Sequence, residues 1–118
     1  MTLHIKRIYE SPSPGDGYRV LVDRLWPRGI KKETAGIDEW LKDVAPSQVL
    51  RKWFNHEPEK WKTFLEKYSA ELEVSAAFKE LKNLIDKHKR VTLIYSAKDE
   101  QHNQAVALQQ LLQRHKNK

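Results

Sequence analysis

The chain has 118 residues, no cysteine and a formal net charge of +6, with 22 Lys and Arg against 16 Asp and Glu. Its 39% hydrophobic and 32% charged residues describe a folded chain, expected to form one domain over 1–118, and not a disordered one. The composition excludes disulfides, thiolate metal sites and cysteine nucleophiles; no apolar run approaches the roughly 20 residues needed to cross a bilayer, and Met1–Lys6 lacks the features of a secretory signal, so a cytoplasmic protein with no membrane partner is expected.

Residues 3–9 (LHIKRIY) alternate roughly between apolar and polar and predict a half-buried first strand. The run Ser11-Pro12-Ser13-Pro14-Gly15-Asp16-Gly17 is a loop, dense in turn formers. A second strand is expected over 18–25, buried on both sides at Val20–Val22 and ended by Pro27 and Gly29. A short helix is read at 38–44, and another runs from a Ser47 cap through Phe54. Pro58 suits the first turn of a longer helix whose apolar face is Trp61, Phe64, Leu65, Tyr68 and Leu72. Residues 73–88 repeat that pattern with Val74, Ala77, Phe78, Leu81 and Ile85.

Val91-Thr92-Leu93-Ile94-Tyr95 is the clearest strand, uncharged and rich in β-branched residues, and reads as central and covered on both faces. Asp99 is the expected cap of a last helix with Ala105, Leu108, Leu111, Leu112 and His115 on its buried face. The basic clusters at 87–90 and 114–118 fall where helices should finish, and cations there complement the helix dipole. Together these elements predict an α/β fold, a small parallel or mixed sheet of about three strands packed with about five helices.

Open α/β sheets bind ligands beyond the carboxyl ends of their strands. That rule selects two segments, 23–28 (DRLWPR) and 95–99 (YSAKD), the second leading into Glu100-Gln101-His102-Asn103. If both strands run the same way, the segments share one edge. Arg24 and Arg28 offer planar donor forks for phosphate or carboxylate, with Asp23 placed to orient one of them or to form a structural ion pair with Arg24. Ser96 reads as an anion-facing or turn residue. His102 is a candidate proton donor or acceptor, or a solvated helix residue. In the middle of the chain, Arg51 lies one turn after Ser47, and His56 sits past a helix end as a second proton-transfer candidate or a cap. Trp26, lying among arginines, is either a stacking platform or core.

The candidate catalytic set is therefore His102, Asp23 and His56, and the ligand-binding set is Arg24, Arg28, Arg51, Ser96 and Trp26. There is no glycine-rich phosphate loop, no GxSxG elbow and no HExxH spacing. No metal set is assigned, and neither a cofactor nor an oligomeric state is indicated.

RVLVDRLWPRG (19–29), APSQVLRKWFNH (45–56), the helix bearing Trp61, Tyr68, Glu71 and Leu72, and TLIYSAKDEQHNQA (92–105) together resemble the YeaO-like branch of the bacterial domain-of-unknown-function family 488. The resemblance covers nearly the whole chain. It implies a compact α/β domain of bacterial or archaeal cytoplasmic origin and no assigned reaction. Broader relatives carry cysteine-containing motifs ending in Cys-His-Arg. This chain has Gln101-His102-Asn103 in that region, so thiol chemistry does not transfer and only His102 is carried over.

The function expected from these residues is binding of an anion, with or without catalysis on a phosphorylated or nucleotide-like small molecule. The alternative is a nucleic-acid-binding or regulatory module without catalysis, suggested by the net charge, Lys31-Lys32, Arg51-Lys52 and the basic C-terminus. A protein-interaction role through Trp26 and Trp53 is a third reading. Acids scattered among the basic residues place the nucleic-acid reading second.

Overall fold

The computed structural model describes residues 2–116. Four strands, β1 (Thr2–Arg7), β2 (Tyr18–Leu21), β3 (Glu39–Trp40) and β4 (Arg90–Tyr95), form one sheet in the order β1-β4-β2-β3, with every pairing parallel. The helices are α1 (Lys32–Ala35), α2 (Gln48–Phe54), α3 (Trp61–Glu73), α4 (Ala76–Lys87) and α5 (Gln104–Lys116). Short 3-10 turns at Pro14–Asp16, Lys42–Val44 and Pro58–Lys60 join them.

The uncharged run 91–95 lies between β1 and β2, where both faces of a strand are covered, and all five of its residues are buried. On one side, Val20, Val22, Val91, Leu93 and Tyr95 pack against Phe64, Leu65, Tyr68 and Leu72 of α3, Phe78, Leu81 and Ile85 of α4, and Leu108 and Leu111 of α5. Opposite residues of the same strands, Leu21 and Ile94, join Ile8 in a second, smaller cluster closed by Trp26, Ile30, Ile37 and Trp40. The alternation of strand side chains divides the apolar residues between these two layers.

Several boundaries differ from those read in the sequence. Residues 38–44 form no helix: Glu39–Trp40 pairs with Val20–Leu21 as a fourth strand, and a 3-10 turn follows. The sheet edge offered partners for these backbone groups, a tertiary gain that propensity does not contain. The fifth helix is instead α1, ended by Gly36 in the left-handed region at φ 64°. The second strand stops at Leu21, although the Val22 amide still donates to the Ile94 carbonyl at 3.0 Å. Helix α4 starts only after Ser75, whose hydroxyl accepts from the Phe78 amide, so Val74 is left exposed at the break. Asp99 does not cap α5. That role falls to Asn103, whose side-chain oxygen accepts from the Val106 amide at 3.0 Å. The cation at the end of α4 stands as expected at Lys87. The His115 side chain and residues 117–118, part of the second basic cluster, lie outside the described residues.

A polar knot secures the entry to β2. Asp16 is buried and bonded to Lys6 at 3.2 Å and Arg19 at 2.5 Å. Arg19 also donates to the Ala35 and Gly36 carbonyls, and the Thr92 hydroxyl donates to the Asp16 carbonyl. Gly17 follows at φ 67°, and a β-carbon there would stand 2.3 Å from the Arg90 carbonyl oxygen, so only glycine fits.

Burial alone would raise the Asp16 carboxyl, but hydrogen bonds from the Ser13 amide, Lys6, the Ser13 hydroxyl and Arg19 outweigh it and bring it from 3.8 to about 2. A carboxylate held lower in the folded chain adds stability above its unfolded value and loses it as pH falls through the folded one. The chain should therefore lose on the order of 2 kcal/mol from this group between about pH 4 and pH 2. In urea unfolding followed by circular dichroism, Asp16→Asn should be destabilised at pH 7, with the gap from the parent narrowing across that interval. Leu93→Asp, which places an unpaired charge in the central strand, should not fold by the same measurement.

Candidate functional site

Because β2 and β4 are parallel neighbours, the segments that leave their carboxyl ends emerge together. Asp23 follows β2 by two residues, Ser96 follows β4 directly, and α5 starts nearby with Asn103 and Gln104. The opposite wall is α2. Ser47 begins that helix, its hydroxyl accepting from the Leu50 amide at 3.1 Å. Glu71 of α3 grips the same residue, accepting from the Ser47 amide at 2.9 Å and its hydroxyl at 2.5 Å. The Tyr68 hydroxyl donates to the Val44 carbonyl just upstream. Two α3 side chains thus set where α2 lies, and with it Arg51 and the residues past its end.

Between these walls is a cleft of about 440 Å³. Asp23, Arg24, Trp26, Arg28, Arg51, His56, Ser96 and His102 all line it. The two strand-end segments and the 45–56 stretch, far apart in the chain, therefore meet at one opening. The rest of the lining includes residues the sequence reading did not single out: Phe54 and Phe64 on the apolar side, Ala45 and Pro46 on the α2 side, and Asn103 and Gln104 at the start of α5. The strand-end rule contains the signal for Gln104, since it lies at the mouth of the helix after β4. Nothing in the helical periodicity separates Phe64 from the core residues beside it.

The three arginines differ. Arg24 is half-buried and donates to the Ala45 and Pro46 carbonyls at 3.1 and 3.3 Å, with an exposed Asp43 carboxylate 3.9 Å away. Its Nε is buried with no hydrogen-bond partner among the described residues. Arg28 and Arg51 are exposed, and among the described residues neither forms an ion pair.

Asp23 corrects the role expected for it. Among the described residues it neither pairs with Arg24 nor orients any arginine: successive residues of the segment diverge, Arg24 toward residues 45–46 and Asp23 toward α5. Asp23 accepts from the Gln104 amide group, and the Trp40 indole N–H donates to its carbonyl at 2.7 Å. Its side chain is buried, and that burial pushes its carboxyl above the ordinary value against the opposing hydrogen bonds of Ser96 and Gln104.

His102 is ordered by Asp99, whose carboxylate accepts from the Gln101 and His102 amides and meets His102 Nδ1 at 3.0 Å. The Gln101 amide, with help from His102, holds the Asp99 carboxyl below its usual range. The His102 ring also stands edge-on to Trp61, at 5.3 Å between centroids. An Nδ1–H given to Asp99 leaves Nε2 as the free ring nitrogen. His56 is exposed at the rim. The cap of α2 is Asn55, and both residues take left-handed backbone, at φ 47° and 54°. Trp26 is half-buried, donates to the Ile30 carbonyl at 2.7 Å and packs edge-on to Trp40, so most of its ring serves the smaller core layer. Arg7 braces the far side of the loop after β4, donating to the Ser96 and Ala97 carbonyls.

Among the described residues no cluster of His, Asp and Glu is suited to hold a metal ion, and no helix is long and apolar enough to cross a membrane. Fold and cleft together define an α/β protein with a cleft at the carboxyl edge of a parallel sheet, its lining mixing arginines with apolar side chains. The chain belongs to the family described as the inactive DUF488-N3 subclade, whose model matches residues 2–118. It is 47% identical to the uncharacterised protein YeaO of Escherichia coli K12, over 92% of this chain and 94% of that one. It is 43% identical to the uncharacterised protein Rv3073c of Mycobacterium tuberculosis H37Rv, over 93% of this chain and 92% of the relative. No solved structure matches.

The Asp23 carboxyl, raised by burial, works against folding once ionised, so its contribution is lost as pH rises through its folded value. Asp23→Asn should therefore unfold at the same or a higher urea concentration than the parent at pH 7. The difference should shrink in acid.

Proposed function

We propose that this protein binds a small phosphorylated compound, up to the size of a nucleotide, and does not turn it over. The observation that carries this reading is the convergence of Arg24, Arg28 and Arg51 from separate segments on one cleft of about 440 Å³, two of them without an ion pair among the described residues. Guanidinium groups match phosphate oxygens in charge and geometry. The cleft volume lies within the usual range of small-molecule sites. Phe54 and Phe64 give it an apolar wall for the non-phosphate part of the ligand.

Binding without turnover has two supports. Among the described residues no hydroxyl faces a histidine base: Ser96 is a partner of Asp23, and His102 Nδ1 is directed to Asp99. The word "inactive" in the family description also favours a binder. On this reading His102 and His56 supply hydrogen bonds to the anion, and no proton-transfer step is assigned to them.

Calorimetric titration with AMP and ribose 5-phosphate tests the proposal. Arg28→Ala and Arg51→Ala should each weaken binding about tenfold, the loss of one charge-assisted hydrogen bond. Both variants should keep the parent's thermal unfolding, since both side chains are exposed. No heat of binding to either compound, or undiminished affinity in the double variant, would defeat it.

A further inference from the structure

The arginines account for one end of a ligand, and Asp23 remains to be explained. It is 7% exposed, and it is the only acid lining the cleft among the described residues. It forms no ion pair there, although three guanidinium groups share the cleft. Its partners, Ser96 and Gln104, are neutral. The Ser96 hydroxyl, the Gln104 amide group and the Ser96 backbone amide fill three of the roughly four lone-pair positions of the carboxylate, which leaves room for one more donor.

A buried carboxylate without a cation is unfavourable when the cleft is empty. It also repels a bare anion seated near it. A ligand whose second end donates a hydrogen bond offsets the first penalty, and an ammonium end offsets both, whereas an apolar second end desolvates the carboxylate further and supplies no donor. Resting on the anion-binding reading above, we infer that Asp23 selects the ligand class: phosphomonoesters whose far end carries a hydroxyl or amino donor, against phosphomonoesters whose far end is apolar. Ser96 and Gln104 hold the carboxylate in place for that contact.

The experiment compares three phosphomonoesters of similar length by calorimetry: ribose 5-phosphate, 5-aminopentyl phosphate and n-pentyl phosphate. The parent protein should bind one or both of the first two about tenfold more tightly than the third, the effect of one hydrogen bond to a charged acceptor. Asp23→Asn should bring the three within about threefold of one another without weakening n-pentyl phosphate. The first two ligands separate hydroxyl from amine recognition. If the parent binds all three equally and Arg51→Ala weakens all three, the role of Asp23 falls while the anion site stands. If none of the three binds, both readings fall. Discrimination retained in Asp23→Asn also overturns the assignment. The comparison among ligands on the parent protein decides the question even if that variant does not fold.

Discussion

The parallel pairing of β2 with β4 is the constraint on which the rest of the molecule depends. It runs from Tyr18 opposite Val91 to Leu21 opposite Ile94, and the Val22 amide extends it by one more hydrogen bond. Because the two strands share a direction, the chain leaves both at the same edge, and a side chain 81 residues further on, Gln104, meets Asp23 there. An antiparallel arrangement of the same two strands would send the 23–28 and 95–99 segments to opposite ends of the sheet. Arg24, Arg28 and the start of α5 follow from that one pairing, while α2, held by the grip of α3 on Ser47, adds the facing wall and Arg51.

Two buried carboxylates show how partners decide what a charge does. Asp16 and Asp23 are 8% and 7% exposed, so desolvation acts on both. Asp16 accepts from the Ser13 amide, Lys6, the Ser13 hydroxyl and Arg19, and these four together bring its carboxyl down to about 2. Asp23 has only neutral donors, and its carboxyl rises. The first is a structural element that ties the loop before β2 to β1 and to the Ala35-Gly36 turn. The second carries an unfavourable solvation term at the mouth of a cleft, and such a group is more informative about binding than about stability.

The family relationship and the cleft bear on different questions. Close similarity to YeaO over nearly the full length makes this fold and this placement of the strand-end segments a reasonable guide to that relative. The loop after β4 is built from Asp99, His102 and Asn103 hydrogen-bonding to one another and to the backbone. A nucleic-acid role would draw on the net charge, Lys31-Lys32, Arg51-Lys52 and the basic C-terminus, and a protein-partner role on Trp26 and Trp53. The cleft instead draws on residues that the fold concentrates.

Much of this was legible in the letters. The uncharged run 91–95, rich in β-branched residues, reads as a covered strand, the 3.6-residue spacing of Trp61, Phe64, Leu65, Tyr68 and Leu72 specifies a helix face, and Ser47 marks a helix start by its own chemistry. Such features are local, and local sterics and hydrogen bonding determine them. The strand-end rule then pointed to residues 23–28, Ser96 and Ala97, which form one part of the cleft lining. What the letters did not contain was settled by contacts between distant segments. Residues 39–40 became a strand because a sheet edge was there to pair with them, and Asn103 is the cap in place of Asp99 because the Asp99 carboxylate is taken up by the Gln101 and His102 amides and the helix begins only at Gln104. Asp23 turned from Arg24 to Gln104, and Glu71 found Ser47, because a side chain's partner depends on which backbone lies within reach, and only the folded chain defines that.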